Sequence, residues 1–564
     1  MKFSLRQIFS TQPSSQEVAE STRNVSLVIF NQSNLLVLTA SIIALLFSNF
    51  ANSHSENDPQ ILSKKENVLV IMFDDMRFDT FSYRGGPVNT PNIDELAEQS
   101  VRFDNAMTTT GLCSPSRAAM YTGRWGHKTG LDDNVELYHS RLAELDPKEG
   151  GLLQRASDSG YLVGHVGKWH LGARGTEMRG AEIDLGHGHE PRERFTRPYT
   201  PYSKVPQVAG YYQGKTDKHG EKHEYWMTLP GDYEDTNAYK KVVHGKAMIK
   251  QAAKDERPFF GVVSFNQPHP AYRVPEPYAS MFNPTELVLP KNHLAERINK
   301  PLAQGGIWWP WHDVGHMTDL DWRKSRAYYY GAIAMVDRIV GELIQTAKDE
   351  GIYDSLRIVL LGDQGSMLGE HGLYDKGPYA YDELMRMPLL IRDPSVEAKV
   401  VNRQVSMLDI TPTLAHWMGL KPDGDVDGRS LIPLMKEGDK ADEGRDDVAL
   451  YAYEWYNGSW FGIRAIRTPK MKFVWNPGDS RDELYDLQND PYEMNNLIDN
   501  PQYKKQLNSM AKRLEKELVR VSDPSIIMFR HHMKAKGLLT AFTHQQEFDV
   551  ALNFPGLTFS HFSL

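Results

Sequence analysis

Four apolar runs, each closed by a polar cluster, restrict what this chain can fold into. Asn67–Phe73 is followed by Asp74-Asp75, and Tyr161–Val166 by Gly167-Lys168-Trp169-His170. Phe259–Phe265 is followed by Asn266-Gln267-Pro268-His269, and Ile358–Leu361 by Gly362-Asp363-Gln364-Gly365. Apolar runs without polar alternation suit strands covered on both faces of a sheet. Helical patterns lie between them: Asn92–Glu98 after Pro91, and residues 328–350, where Ile333, Val336, Val340, Leu343 and Ile344 share one stripe. Strands alternating with helices predict an α/β fold with a large, mainly parallel sheet sandwiched by helices. Such sheets place their site beyond the carboxyl ends of the strands. The polar clusters fall at those ends.

A chain of 564 residues is long for a single core. The expected division is a leader over 1–60, a main domain over 61–440, and a smaller C-terminal α+β domain with a tail over 441–564. In the last part, Val448–Trp455, Gly462–Arg467 and Met471–Trp475 read as short strands and residues 502–521 as a helix. Phe554 and Phe559 in the tail suggest packing on the body. A net charge of −9 gives no general attraction for nucleic acid, so none is expected as a partner. An anionic substrate would have to be drawn in by local basic residues.

Leu35–Phe50 is an apolar run with Lys2, Arg6 and Arg23 before it and no Lys or Arg after it until Lys64. That is the orientation of an export signal, with the body outside the cytoplasm. The run is short for a spanning helix, and Ala51-Asn52-Ser53 offers small residues for cleavage. The expected location is periplasmic or secreted. The alternative is an uncleaved membrane anchor through residues 35–50.

Cys113 is the sole cysteine, so it can form neither an internal disulfide nor a thiolate metal cluster. A lone cysteine is ordinarily a small buried apolar residue, but its neighbours argue for more. Pro115 fixes the backbone, Ser116 is a good N-cap, Arg117–Tyr121 reads as a short helix, and Gly123 ends it. Cys113 is thus expected just before a helix N-terminus, which favours an anion. Arg117 adds a positive fork for a tetrahedral oxyanion. Asp74-Asp75 alone would suit a solvated turn. Together with Asp363-Gln364 it makes an all-oxygen set suited to Ca²⁺, one that repels itself unless a cation sits in it.

The stretch Cys113-x-Pro115-Ser116-Arg117, followed by Thr122-Gly123-Arg124, resembles the modification motif of the formylglycine-dependent (type I) sulfatases of the alkaline-phosphatase-like superfamily. Gly167-Lys168-Trp169-His170-Leu171-Gly172, Gln267-Pro268-His269-Pro270 and the segment Gly369–Gly377 containing Lys376 match further motifs in the family's order. The resemblance covers most of 65–440 and extends more loosely to about 500, including Glu483–Pro491. It implies that a formylglycine-generating or sulfatase-maturing enzyme oxidises Cys113 to an aldehyde whose hydrate is the nucleophile. It implies one calcium ion bound by Asp74, Asp75, Asp363 and Gln364 together with an oxygen of residue 113. Many relatives carry Asn or His where this chain has Gln364.

The implied reaction is hydrolysis of a sulfate monoester. Arg117, Lys168, His269 and Lys376 bind the substrate, and His269 protonates the leaving alcohol. Asp363 serves as base for attack on sulfur, leaving a sulfated enzyme. His170 then assists removal of a proton from the remaining hydroxyl, which expels sulfate and restores the aldehyde.

A sulfated carbohydrate or polysaccharide fragment is the expected substrate. Sugar stacking by Ile307–His312 and Glu454–Trp460 competes with an ordinary core role for their tryptophans. The insertion at 173–235, with His187, His189, Arg192 and Lys222, suits loops that shape a site. The nearest alternative is a phosphate or phosphonate monoester hydrolase of the same superfamily. An alternative of another class is a catalytically dead, membrane-attached glycan-binding protein that keeps the fold with Cys113 unmodified.

Overall fold

The structure, a computed structural model, describes residues 65–538 except 136–141, 147–148, 150, 173–174, 186–224, 296–297, 307–311, 422–424, 442–443, 445 and 480. The strands of its large sheet are, in chain order, β1 (Val68–Asp74), β2 (Val101–Phe103), β3 (Leu162–Gly167), β4 (Ile183–Leu185), β5 (Phe259–Pro268), β6 (Arg357–Gly362), β7 (Leu389–Arg392) and β8 (Lys399–Val401). Their spatial order is β8–β2–β7–β6–β1–β5–β3–β4. β1 runs parallel to both β5 and β6, and β3 runs parallel to β5 and β4. β7 is antiparallel to its two neighbours. The four predicted runs are therefore the four adjacent central strands β6, β1, β5 and β3.

Alternate residues of β1 face two separate cores. Val68, Val70 and Met72 pack with Ala118, Ala119 and Met120 of α2 (Cys113–Thr122) and with Leu152, Leu153 and Ala156 of α3 (Gly151–Asp158). Leu69, Ile71 and Phe73 pack against α1 (Pro91–Glu98), α4 (Asn237–Ala252) and α5 (Asp319–Asp349). Both faces are covered by helices, which is why these strands carry no polar alternation. α5 begins nine residues before the expected start. Thr318 and Asp321 form a capping box that sets the earlier start.

The C-terminal part forms an antiparallel meander of β9 (Ala449–Tyr456), β10 (Ser459–Arg467), β11 (Met471–Trp475) and β12 (Glu483–Asp486). β12 was not expected as a strand. α6 (Lys504–Arg520) and α7 (Ile526–Ala535) cover the meander. Ile466, Phe473 and Trp475 join Leu514, Leu518 and Phe529 in the same core that underlies α2. The small sheet is thus continuous with the large one through apolar packing.

The leader with its run at 35–50, His187, His189, Arg192, Lys222, Trp308, Trp309, Trp311, Phe554 and Phe559 lie outside the described residues. Among the described residues, no helix is long and apolar enough to cross a membrane.

Phe529 is fully buried, and its ring meets Trp475 edge-on at 5.1 Å between centroids. Replacing Phe529 with Ala should destabilise the protein by about 3 kcal/mol or more. A shifted urea midpoint would show it, whereas an unchanged midpoint would mean that α7 contributes little to the fold.

Candidate active site

The strand order places four loop entries side by side. β1 leads into Asp74 and Asp75, β6 leads to Asp363 and Gln364, β5 leads to His269, and β3 leads to Lys168. Register keeps them level: Phe73 pairs with Gly362, Asp74 with Pro268, and Gly167 with Ser264. α2 delivers Cys113 and Arg117 from across the face. Lys376 arrives on a short hairpin of Met367–Leu368 with Tyr374–Asp375.

Cys113 is the first residue of α2 rather than the residue before a later helix. Leu112 is the N-cap and makes no side-chain cap bond. The helix starts early because proline is tolerated within the first turn. Ser116 therefore does not cap. Its hydroxyl donates to the Asp363 carbonyl at 2.6 Å. Gly123 ends the helix in a left-handed conformation, as expected (φ 69°).

Around the buried Cys113, charge is locked in pairs. Its Sγ lies 3.2 Å from Asp74 Oδ1 and 3.2 Å from Gln364 Nε2. Lys168 Nζ donates to Asp74, and Lys376 Nζ donates to both Asp75 oxygens at 2.9 and 2.8 Å. Arg117 Nε donates to Asp363 Oδ2 at 2.9 Å, and its Nη1 donates to Lys168 O and Ser264 Oγ. Arg117 Nη2 is buried, makes no hydrogen bond and stands 3.9 Å from Asp74 Oδ1. His269 places Nε2 3.8 Å from Asp75 Oδ2. His170 lies two residues past Lys168 with left-handed backbone (φ 60°).

The titration behaviour of the cluster follows from this geometry. Burial would raise Asp74, but Lys168, His269 and Arg117 hold it well below the usual carboxylate range. Burial, then the charges of Asp74, Asp375 and Asp363, push Asp75 well above that range despite Lys376. Burial and Asp74 push Asp363 up to about 7 against the opposing Arg117. Burial lowers the His269 imidazole to about 4, with Lys376 adding to the effect. Burial and Asp74 push the Cys113 thiol up to about 12. That thiol is un-ionised at neutral pH and is a poor nucleophile as it stands.

Asp74, Asp75 and Asp363 each offer an oxygen within 4.8 Å of the others, all three buried. Gln364 turns its amide nitrogen to the cluster, donating to Asp75 Oδ1 and to Cys113 Sγ, while its buried carbonyl oxygen has no hydrogen-bond partner. The three crowded carboxylates form a hard donor set that fits Ca²⁺, and a flip of the Gln364 amide would add its orphaned oxygen to that set. The longer Gln364 side chain does reach the cluster.

Asp375 was missed by the sequence reading. It lies 3.5 Å from Lys376 and 3.7 Å from His312, and it groups with Asp75 and His269. Its only signal was adjacency to Lys376. Ser264, hidden inside an apolar run, was also missed. Of the tryptophans expected either in the core or against sugar, Trp460 is 39% exposed and bonds its indole to Glu454 at 3.0 Å.

The Sulfatase family profile matches residues 66–420, and the profile of the N-sulphoglucosamine sulphohydrolase C-terminal region matches 369–520. The chain belongs to the sulfatase family, as a type I sulfatase of the alkaline-phosphatase-like superfamily and a sulfuric ester hydrolase. It is 28% identical to an ulvan-active sulfatase of Formosa agariphila, over 81% of this chain and 82% of the relative. It is 26% identical to an N-acetylglucosamine-6-O-sulfatase of Bacteroides thetaiotaomicron, over 87% and 91%. Among solved structures, a phosphonate monoester hydrolase of Agrobacterium radiobacter superposes with a TM-score of 0.67 at 26% identity, over 81% of this chain and 96% of that one.

Without a cation, ionisation of Asp363 costs stability. Its folded pKa of about 7 exceeds the ordinary value of 3.8, so its contribution is full below pH ~4 and is lost as pH rises through 7. Calcium should therefore raise the melting temperature of chelator-treated protein more at pH 8 than at pH 5. Equal gains at both values would contradict the assignment of these carboxylates to calcium.

Proposed function

We propose that this sulfatase hydrolyses sulfate monoesters on a sulfated carbohydrate or polysaccharide fragment, through a formylglycine made from Cys113 and one bound calcium ion. The observation that carries the proposal is the convergence of Arg117 Nη2, Lys168 and Lys376 with three buried carboxylates on Cys113. Calcium, held by Asp74, Asp75, Asp363, Gln364 and an oxygen of residue 113, would supply Lewis-acid stabilisation of developing negative charge. Formylglycine at position 113 would supply a hydroxyl nucleophile, which the un-ionised thiol does not.

The chain's own residues divide the remaining work. Lys168, Lys376 and Arg117 Nη2 grip the sulfuryl oxygens, and a fixed cationic frame favours the transition state as charge spreads over them. Asp363 accepts the nucleophile's proton. As the bond between sulfur and the ester oxygen breaks, the electron pair goes to that oxygen and His269 gives it a proton, so a neutral alcohol leaves. His269 is neutral in the free site, and the negative charge of a bound sulfate ester beside it favours the imidazolium needed for this step. His170 assists the deprotonation that releases sulfate. Water balances the reaction, giving alcohol, sulfate and one proton.

The carbohydrate assignment rests on relatives whose names specify ulvan and N-acetylglucosamine-6-O-sulfate chemistry. The leader supports export to the periplasm or medium, with residues 35–50 as signal or anchor. A maturing enzyme that acts on Cys113 is the required partner. The superposition on a phosphonate monoester hydrolase favours a second reading, phosphate or phosphonate monoester hydrolysis by the same residues.

With matched aryl sulfate and aryl phosphate esters, kcat/KM should be higher for the sulfate. A reversed preference would favour the second reading. Cys113→Ser should lose multiple turnover by roughly 10³-fold or more, since serine has no second hydroxyl through which to expel sulfate. Normal multiple turnover by that variant would refute the scheme.

A further inference from the structure

Lys241 is a buried lysine that the mechanism above does not use. It sits in the second turn of α4, which packs on the opposite face of the sheet from α2. Its position is electrostatically unfavourable. Burial, reinforced by Lys168 and Arg117, lowers its ammonium to about 7. Apolar residues such as Val242, Met248 and Ile249 fill the buried face of the same helix. A lysine there needs a reason other than stability.

Its contacts supply one. Nζ donates to the Asn266 side-chain carbonyl. The Asn266 backbone carbonyl in turn accepts the His269 N–H at 3.0 Å, closing the turn that presents the imidazole. The lysine stem also lies against Gly167, directly before Lys168. A Cβ at Gly167 would stand 3.1 Å from Lys241 Cδ and 1.9 Å from Ser264 O, and the backbone there is left-handed (φ 94°). One side chain therefore touches the ends of both β3 and β5.

We infer that Lys241 is a positioning residue that fixes the His269 turn, and hence the proton delivered to the leaving oxygen, from behind the strand ends. This rests on the reading of His269 as the acid. If Lys241 sets that proton donor, its loss hurts substrates according to how much they need protonation. An alkyl or sugar sulfate expels a basic alkoxide and needs the proton, whereas 4-nitrophenyl sulfate expels a stable phenolate and needs it little. A purely structural role would lower both rates alike.

The test compares Lys241→Met and His269→Ala with the unaltered enzyme on a sugar sulfate and on 4-nitrophenyl sulfate. Lys241→Met should lower kcat on the sugar sulfate about 10- to 100-fold and leave kcat on the aryl ester within about threefold. His269→Ala should show the same split, larger. Lys241→Arg, which keeps a donor, should recover most of the loss. If the Met variant does not fold, Asn266→Ala removes the acceptor instead and should give the same split. If His269→Ala discriminates and the Lys241 and Asn266 variants do not, the inference is wrong and the acid assignment stands. If His269→Ala hits both substrates alike, the acid assignment fails and the inference fails with it.

Discussion

Three carboxylates buried within a few ångströms of one another are the constraint on which the rest of this structure depends. Asp74 and Asp75 end the central strand, and Asp363 ends its neighbour. Mutual repulsion in a low-dielectric setting is expensive, and the protein answers with cations from three directions. Lys168 comes from β3, Arg117 from α2 and Lys376 from a hairpin. These neutralising groups also leave donors facing Cys113, so in the proposed mechanism the stabilisation of the acids and the recognition of an anion share the same atoms. Asp74 stays ionised while Asp75 and Asp363 are pushed upward, and this imbalance is what a divalent cation would relieve.

The four strands that carry the site could be read from the sequence because both their faces are buried, which leaves an uninterrupted apolar run. β2, β4 and β8 could not, since each is three residues long and follows its neighbours rather than any pattern of its own. The acid cluster could be anticipated from carboxylates at two strand ends. Its pairing could not, because which lysine meets which aspartate is set by strand order. The start of α2 was misplaced for a local reason. Ser116 looks like a cap in isolation, but its hydroxyl is engaged by Asp363, 247 positions away in sequence. Asp375 was passed over because an aspartate beside a lysine looks like an ordinary surface pair until burial is known.

The small sheet takes part in holding the site. Tyr451 on β9 accepts a hydrogen bond from Gly111 N and donates to Tyr379 O, both at 3.0 Å. It thereby links the segment before Cys113 to the segment after Lys376. A Cβ at Gly111 would fall 2.5 Å from Leu384 and 2.9 Å from the Tyr451 hydroxyl, so a larger residue there would force one of these side chains to shift. Lys472 on β11 is fully buried, pairs with Asp382 and Glu493 at 2.7 Å each, and donates to the Ala380 carbonyl. Such paired buried charges lose much if one partner is removed. The C-terminal sheet thus orders the loop on which Lys376 reaches Asp75.

The measurement that bears most directly on this account is the chemical state of residue 113 in active protein from its native host. Mass spectrometry of the peptide that spans Cys113, quantified against specific activity, reads it. The account predicts an aldehyde at this position whose occupancy rises in proportion to activity. Fully active protein that carries only an intact thiol there would contradict it.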